Sequence, residues 1–195
     1  MNSVRRLPLL ILLTLLLILS CGARQDRAAR SSDEVNWLTW SELDAAHARE
    51  PRKVLVDLYT DWCGWCKVMD RKTYAHPAII DYINTHYHAV KFDAESRSDI
   101  VMAGDTFSFV DQGSRGYHEL AAALMGGRMS YPTTVVLSEE MENLGPIPGY
   151  LEVDVMETVL VFFAEDHHET TPWEDFERGY TPGFSAGEDT AAVAP

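Results

Sequence analysis

The segment Val54-Leu-Val-Asp-Leu-Tyr-Thr-Asp-Trp-Cys-Gly-Trp-Cys-Lys67 holds the end of one element and the start of another. With Lys53 in front, its first half is a mostly apolar run of strand length, the pattern of a strand covered on both faces. A helical pattern starts near Cys63 and continues to about Tyr74. Cys63 and Cys66 therefore stand where a strand runs into a helix. A spacing of three puts them on one side of the first turn, close enough to bridge. Cys63 sits at the positive end of the helix dipole, where unpaired backbone N–H groups favour a thiolate. A cysteine pKa of about 8.5 falls to roughly 3.5–7.5 in such settings. That makes Cys63 the attacking sulfur and Cys66 the resolving one, with Lys67 adding positive charge nearby.

Asp57 stands out next. Val54, Leu55, Val56 and Leu58 around it mark a buried strand, where a carboxylate is costly without a partner. Six residues before Cys63, it is placed to lie beneath the cysteines with a raised pKa and to exchange a proton with Cys66. Lys91, in the following strand His88–Asp93, is its candidate counter-charge.

Outward from this segment the chain alternates. Asn36 to Thr39 reads as a short first strand, and Ser41 as the cap of a helix through about Glu50, with Asp44 three residues on. Ala78 to His86 carries Ile79, Ile80 and Ile83 on one helical face. A polar stretch follows, with one candidate strand at Thr106 to Val110, and then a helix from His118 to Met125. Thr133 to Leu137 is a strand, Gly145-Pro-Ile-Pro-Gly149 a turn leading to an edge strand near Tyr150, and Val153 to Ala164 a closing helix. This order indicates α/β architecture. The last two strands are close enough in sequence to pair antiparallel. From about Asp166 the composition turns to Asp, Glu, Thr, Pro and Gly and predicts a largely unstructured acidic tail, 166–195, from which Trp173 and Phe176 are candidates to dock back on the body.

The quoted segment resembles the active-site segment of thioredoxins: the buried Asp57, Trp62 before the first cysteine, and Lys67 after the second all match. Tyr131-Pro132-Thr133, directly before a strand, is similar to the family's cis-proline loop, and Lys91 matches its lysine on the strand after the active-site helix. The resemblance covers about residues 36–165 and is nearest to membrane-tethered bacterial members with a WCGWCK motif. It implies a thioredoxin fold, a central mixed sheet flanked by helices, here with an insertion (94–129) before the cis-proline strand. It further implies a redox disulfide between Cys63 and Cys66 and a cis bond before Pro132. That bond would leave the Tyr131 backbone free to pair with an extended substrate. Gly64 and Trp65 occupy the two positions that tune thiolate stability. Trp65 replaces the proline of cytosolic thioredoxins, so their redox potential does not carry over. The insertion has no counterpart for catalysis and reads as an elaborated loop and helix.

At the other end, Arg5 and Arg6 precede an apolar run from Leu9 to Leu19, too short for a bilayer span of roughly 20 residues. A basic start, a short greasy stretch and Ser20 read as a secretory signal over residues 1–20. Ile18-Leu19-Ser20-Cys21 resembles the lipobox of bacterial lipoproteins. This implies cleavage before Cys21, its acylation, and a flexible tether over 21–35; the alternatives are an ordinary cleaved signal with Cys21 incidental, or an uncleaved anchor. More than one acyl chain would anchor the protein stably to a lipid bilayer. The implied location is the bacterial cell envelope, facing the periplasm or exterior.

The composition bounds what else the chain does. Its 195 residues suit one domain, and 30 acidic against 16 basic residues, net −14, argue against a nucleic-acid partner. Three cysteines are too few for a disulfide-stapled scaffold or a four-cysteine zinc site. Neither a metal nor another cofactor is called for: His86 and His88, and His167 and His168, are close in sequence, but structural zinc wants four ligands at defined spacing and Cys63 and Cys66 have no second pair. His76, His86 and His118 read as surface or capping residues. The expected function is a thiol–disulfide oxidoreductase that reduces or repairs disulfide-containing protein substrates. With no multi-span segment to relay electrons, it requires a separate membrane thiol donor. The competing expectation is a non-catalytic binding or assembly lipoprotein built on the same fold.

Overall fold

The computed structural model describes residues 33–185 except Ala103 and Ser114. The signal (1–20), Cys21 and the tether as far as residue 32 lie outside the described residues. At the centre of a five-stranded mixed sheet is β2 (Val54–Tyr59), with β3 (His88–Asp93) parallel to it on one side and β8 (Thr133–Leu137) antiparallel on the other. β1 (Trp37–Leu38) adds parallel to β3, and β9 (Asn143–Pro148) adds antiparallel to β8. The sheet order β1-β3-β2-β8-β9 is the mixed arrangement that the resemblance implies.

Side chains alternate across β2, and each face has its own core. Val54, Val56 and Leu58 join Leu43 of α1 (Trp40–Arg49) and Leu120 and Leu124 of α4 (Glu119–Leu124). Leu55 faces the other way, against Met69 of α2 (Gly64–Lys72), Ile79 and Ile83 of α3 (Pro77–His86), and Met156 and Leu160 of α5 (Val153–Ala164). Period-two alternation puts Asp57 on the Leu55 face, the side that α2 covers.

Four local readings differ from the sequence expectation. The cap of α1 is Thr39, not Ser41: its Oγ1 accepts from the Glu42 N–H at 3.3 Å and the Glu42 carboxylate returns to the Thr39 N–H at 2.8 Å. Reciprocal closure of this box satisfies two end donors at once. The segment 145–149 is not a turn before a strand, because 145–148 already belongs to β9. Pro146 and Pro148 are tolerated there because β9 lies at the sheet edge. The insertion holds two hairpins rather than one candidate strand: β4 (Ile100–Met102) with β5 (Asp105–Phe107), and β6 (Phe109–Asp111) with β7 (Gly116–His118).

The fourth difference concerns the tail. Residues 166–185 are ordered, with a 3-10 turn at His167–Glu169 and α6 at Trp173–Gly179. Trp173 and Phe176 pack on Phe162 with ring centroids 5.2 and 5.1 Å away. Lys53, itself buried, binds both Glu139 and Asp166. Glu157, buried on α5, accepts from the Tyr180 hydroxyl at 2.7 Å and from the N–H groups of Gly183 and Phe184 at 2.8 and 2.7 Å. A polar composition conceals an aromatic face that α5 needs covered. Replacing Glu157 by Ala removes the shared acceptor, a cost of about 1–3 kcal/mol. We expect limited proteolysis of Glu157→Ala to cut within 170–185 while the 36–165 body stays intact.

Candidate active site

Cys63 is the N-cap of α2, and Cys66 lies in its first turn; both are buried, at 4% and 3% exposure. They are joined by a disulfide, with Cα atoms 5.4 Å apart. The Cys63 Sγ accepts from the Cys66 backbone N–H at 3.1 Å. Burial does not distinguish the two sulfurs, but position does. Only Cys63 receives one of the otherwise unpaired N–H groups at the helix start, which favour negative charge on that sulfur.

The Tyr131–Pro132 bond is cis. Thr133, the next residue, is in register with Leu58 near the end of β2, so the proline loop and the cysteine loop share one end of the sheet. Trp62 and Tyr131 link the two loops edge to face, with centroids 5.8 Å apart. On the other flank Trp65 lies over Tyr150 at 5.4 Å. Trp62 and Trp65 are 55% and 61% exposed. Two bare indoles beside a buried sulfur pair form an apolar surface of the kind that marks interaction sites. Lys67 is exposed on α2, and a Cβ at Gly64 would meet nothing within 4 Å. Space alone does not require glycine there.

Beneath α2, Asp57 is in register with Lys91, whose Nζ donates to its Oδ2 at 2.8 Å. Asp57 is 1% exposed, and its Oδ1 has no hydrogen-bond partner among the described residues. Burial pushes its carboxyl pKa above the ordinary range, and the nearby Lys91 only partly offsets this. Burial alone would lower the Lys91 pKa, but Asp57 and Asp70 outweigh it and carry the ammonium above the usual lysine value. Asp70, on α2 one turn beyond Cys66, also binds the Lys91 ammonium. Sequence reasoning passed over Asp70; its i+4 spacing from Cys66, which puts both on one helix face, was the available signal. Lys91 also lines a 590 Å³ pocket with Tyr59 and Asp93, so solvent reaches the ammonium while Asp57 stays sealed.

The sequence-predicted residues thus fall in one place: Cys63, Cys66, Trp62, Gly64, Trp65 and Lys67 at the start of α2, Asp57 and Lys91 below it, Tyr131 and Pro132 across from it. His118 is buried and caps α4 through the Leu120 N–H at 3.1 Å, and His76, also buried, stands at the N-cap position of α3 without a side-chain cap bond. Asp166, His168 and Glu169 bring ligand atoms within 4.8 Å of one another, but Asp166 already binds Lys53. Among the described residues no helix is long and apolar enough to cross a membrane.

Comparison with known proteins gives the following. A family model described as Thioredox_DsbH, protein of unknown function, DUF255, matches residues 27–146. The "Thiol:disulfide interchange protein DsbD" of Pectobacterium atrosepticum is 36% identical over 44 residues, 23% of this chain and 8% of that protein. "Uncharacterized protein B0495.5" of Caenorhabditis elegans is 23% identical over 88 residues, 45% of this chain and 12% of its own length. The chain therefore spans only a small part of these curated relatives. A solved thioredoxin-fold protein from Helicobacter pylori superposes with a TM-score of 0.51 at 15% identity, covering 85% of this chain and 97% of that one. The fold is a thioredoxin fold.

Proposed function

Because this chain belongs to the thioredoxin-like DsbH/DUF255 family, we propose that it is an extracytoplasmic thiol–disulfide oxidoreductase that reduces or repairs protein disulfides. One observation carries this reading: a Cys63–Cys66 disulfide at the start of α2, on the helix that covers the sealed Asp57–Lys91 pair. In the reduced protein the Cys63 thiolate attacks one sulfur of a substrate disulfide. The substrate S–S bond breaks, a mixed disulfide forms, and the departing substrate thiolate takes up a proton. Cys66 then passes its proton to Asp57 at the unpartnered Oδ1, directly or through one water, and attacks the Cys63 sulfur. The second substrate thiolate leaves and takes up the proton that Asp57 gives back, directly or through solvent, and the chain ends as the Cys63–Cys66 disulfide with Asp57 ionised again. A separate membrane thiol donor returns two electrons and two protons.

Pro132 and Tyr131, at the same end of the sheet as the cysteine loop, offer backbone to an extended substrate strand, while the two indoles supply the apolar contact. The N-terminal lipobox resemblance supports a lipid anchor at Cys21 and a place in the bacterial cell envelope. Asp57, whose raised pKa suits proton exchange with a thiol, supports the relay.

Three measurements test the proposal. The full chain should reduce insulin with dithiothreitol as donor, and equilibration against glutathione should place its potential on the reducing side. Cys66→Ala, which keeps the attacking sulfur and loses the resolving one, should accumulate mixed disulfides with substrate proteins on non-reducing gels. A protein that neither reduces insulin nor is trapped is a binding lipoprotein rather than an enzyme.

A further inference from the structure

Beside Trp62, on the side away from Trp65, the β6–β7 hairpin of the insertion forms one wall of a groove. Two adjoining hollows of 320 and 300 Å³ share Trp62, Glu95, Arg115 and Gly116. One opens onto Tyr131 in the cis-proline loop, and the other extends to Arg97. The groove therefore starts at Trp62 and Tyr131, the two residues that link the cysteine loop to the cis-proline loop.

Its charges are arranged asymmetrically. The Arg115 guanidinium lies over the Trp62 ring at 5.2 Å, and that of Arg97 over Phe109 at 4.1 Å. Both arginines are exposed, and neither forms an ion pair among the described residues. In a chain of net charge −14, two stacked and unspent guanidiniums next to a reactive disulfide are a local exception. Glu95 also lines both hollows, with its Oε1 accepting from the Trp62 indole N–H at 3.1 Å. The lining of the two hollows thus carries one carboxylate, tied to Trp62, and two guanidiniums, Arg115 on the hairpin and Arg97 on the segment after β3. The hairpin is built for this wall: a Cβ at Gly116 would lie 2.0 Å from the Phe109 ring. Only glycine lets Phe109 fold flat under Arg97.

We propose that this groove selects substrates by a carboxylate-bearing segment beside the reactive cysteine, with Arg97 and Arg115 as specificity-determining residues. The inference rests on the oxidoreductase reading above and adds to it the class of polypeptide taken. Stacking on an aromatic ring holds each guanidinium in place while leaving its N–H edge for a carboxylate, so little side-chain freedom is lost on binding. The Glu95 carboxylate repels an acidic group placed against it, which narrows where the substrate's carboxylate can sit.

The test uses the full chain with dithiothreitol and two sets of substrates. One is neutral 2-hydroxyethyl disulfide; the other is a set of synthetic disulfide peptides alike except for two flanking residues, both Asp, both Gln or both Lys. We expect kcat/KM to rank Asp over Gln over Lys, with Asp about 3- to 10-fold above Gln at low ionic strength. That preference should collapse at about 0.5 M salt, where charges are screened within several ångströms. R97Q/R115Q should bring the ratio to about one, and R97K/R115K, which keeps the charge and loses the stacked planar edge, should retain a smaller, salt-sensitive preference, which separates charge from folding. Equal rates across the peptides, or a preference that survives R97Q/R115Q, overturns the groove inference alone. Failure to reduce even 2-hydroxyethyl disulfide overturns the oxidoreductase reading, and this inference with it.

Discussion

Cys63→Ser is expected to lower insulin reduction by on the order of 10³-fold or more, the scale of losing a nucleophile. A serine hydroxyl at the start of α2 stays protonated under the same N–H donor that would favour a thiolate, so no attack on the substrate sulfur begins. Cys66→Ser also removes the disulfide and leaves turnover equally low, yet it still forms the mixed disulfide. Both variants lose the same cross-link, so any shared fall in stability cancels between them. What separates them is the Cys66 N–H donated to the Cys63 sulfur at 3.1 Å. Alkylation of the reduced protein by iodoacetamide near neutral pH should accordingly modify Cys63 well before Cys66. Equal labelling of the two, although their burial is alike, would remove the assignment of attacking and resolving sulfurs.

Asp57→Asn is expected to make the protein more stable and a poorer catalyst at neutral pH. The carboxyl pKa is raised by burial above its unfolded value. Between those two values the folded state holds a proton that the unfolded chain has lost. Stability therefore falls as pH rises through that window, and above it the buried charge is a standing cost. Removing one member of a buried ion pair is ordinarily harmful because the other charge is stranded. Here Lys91 is about a quarter exposed and keeps Asp70 as partner, so the desolvation relief wins, by about 1–3 kcal/mol at pH 7. Thermal melts should show the gain at pH 7 and none below about pH 4, where both forms are neutral.

Catalysis moves the other way. Without the acceptor, resolution of the mixed disulfide should slow by roughly 100-fold. In the wild type this step should level off once Asp57 is ionised. In Asp57→Asn it should keep rising with pH towards the thiol's own titration. Single-turnover release of a labelled peptide between pH 5 and 9 reads the difference. A wild-type profile unchanged in Asp57→Asn would make the residue structural only.

The parts legible from sequence were those that depend on near neighbours. Val54 to Lys67 announced strand, turn and helix because both periodicities and the cysteine spacing lie within fourteen residues. Pro132 gained meaning from that motif and not from itself. The acid–base pair was half visible: Asp57 as a charge in an apolar run, Lys91 as a cation in the next strand. That they meet at 2.8 Å depends on parallel register between β2 and β3. Asp70 was overlooked because a polar residue on an amphipathic helix looks like any solvated one.

The sequence alone determined the placement of the two cysteines at a strand-to-helix junction and the alternation of strands and helices, since each follows from spacing along a short length of chain. Only the tertiary structure decided which charges share Lys91, that the 166–185 segment is folded against α5, and that a hairpin of the insertion stands beside Trp62. Those outcomes come from surfaces far apart in the chain. Phe162 recruits Trp173 and Phe176 because an apolar face left in water is costly, and a polar composition around two aromatics carries no local sign of the face that awaits them.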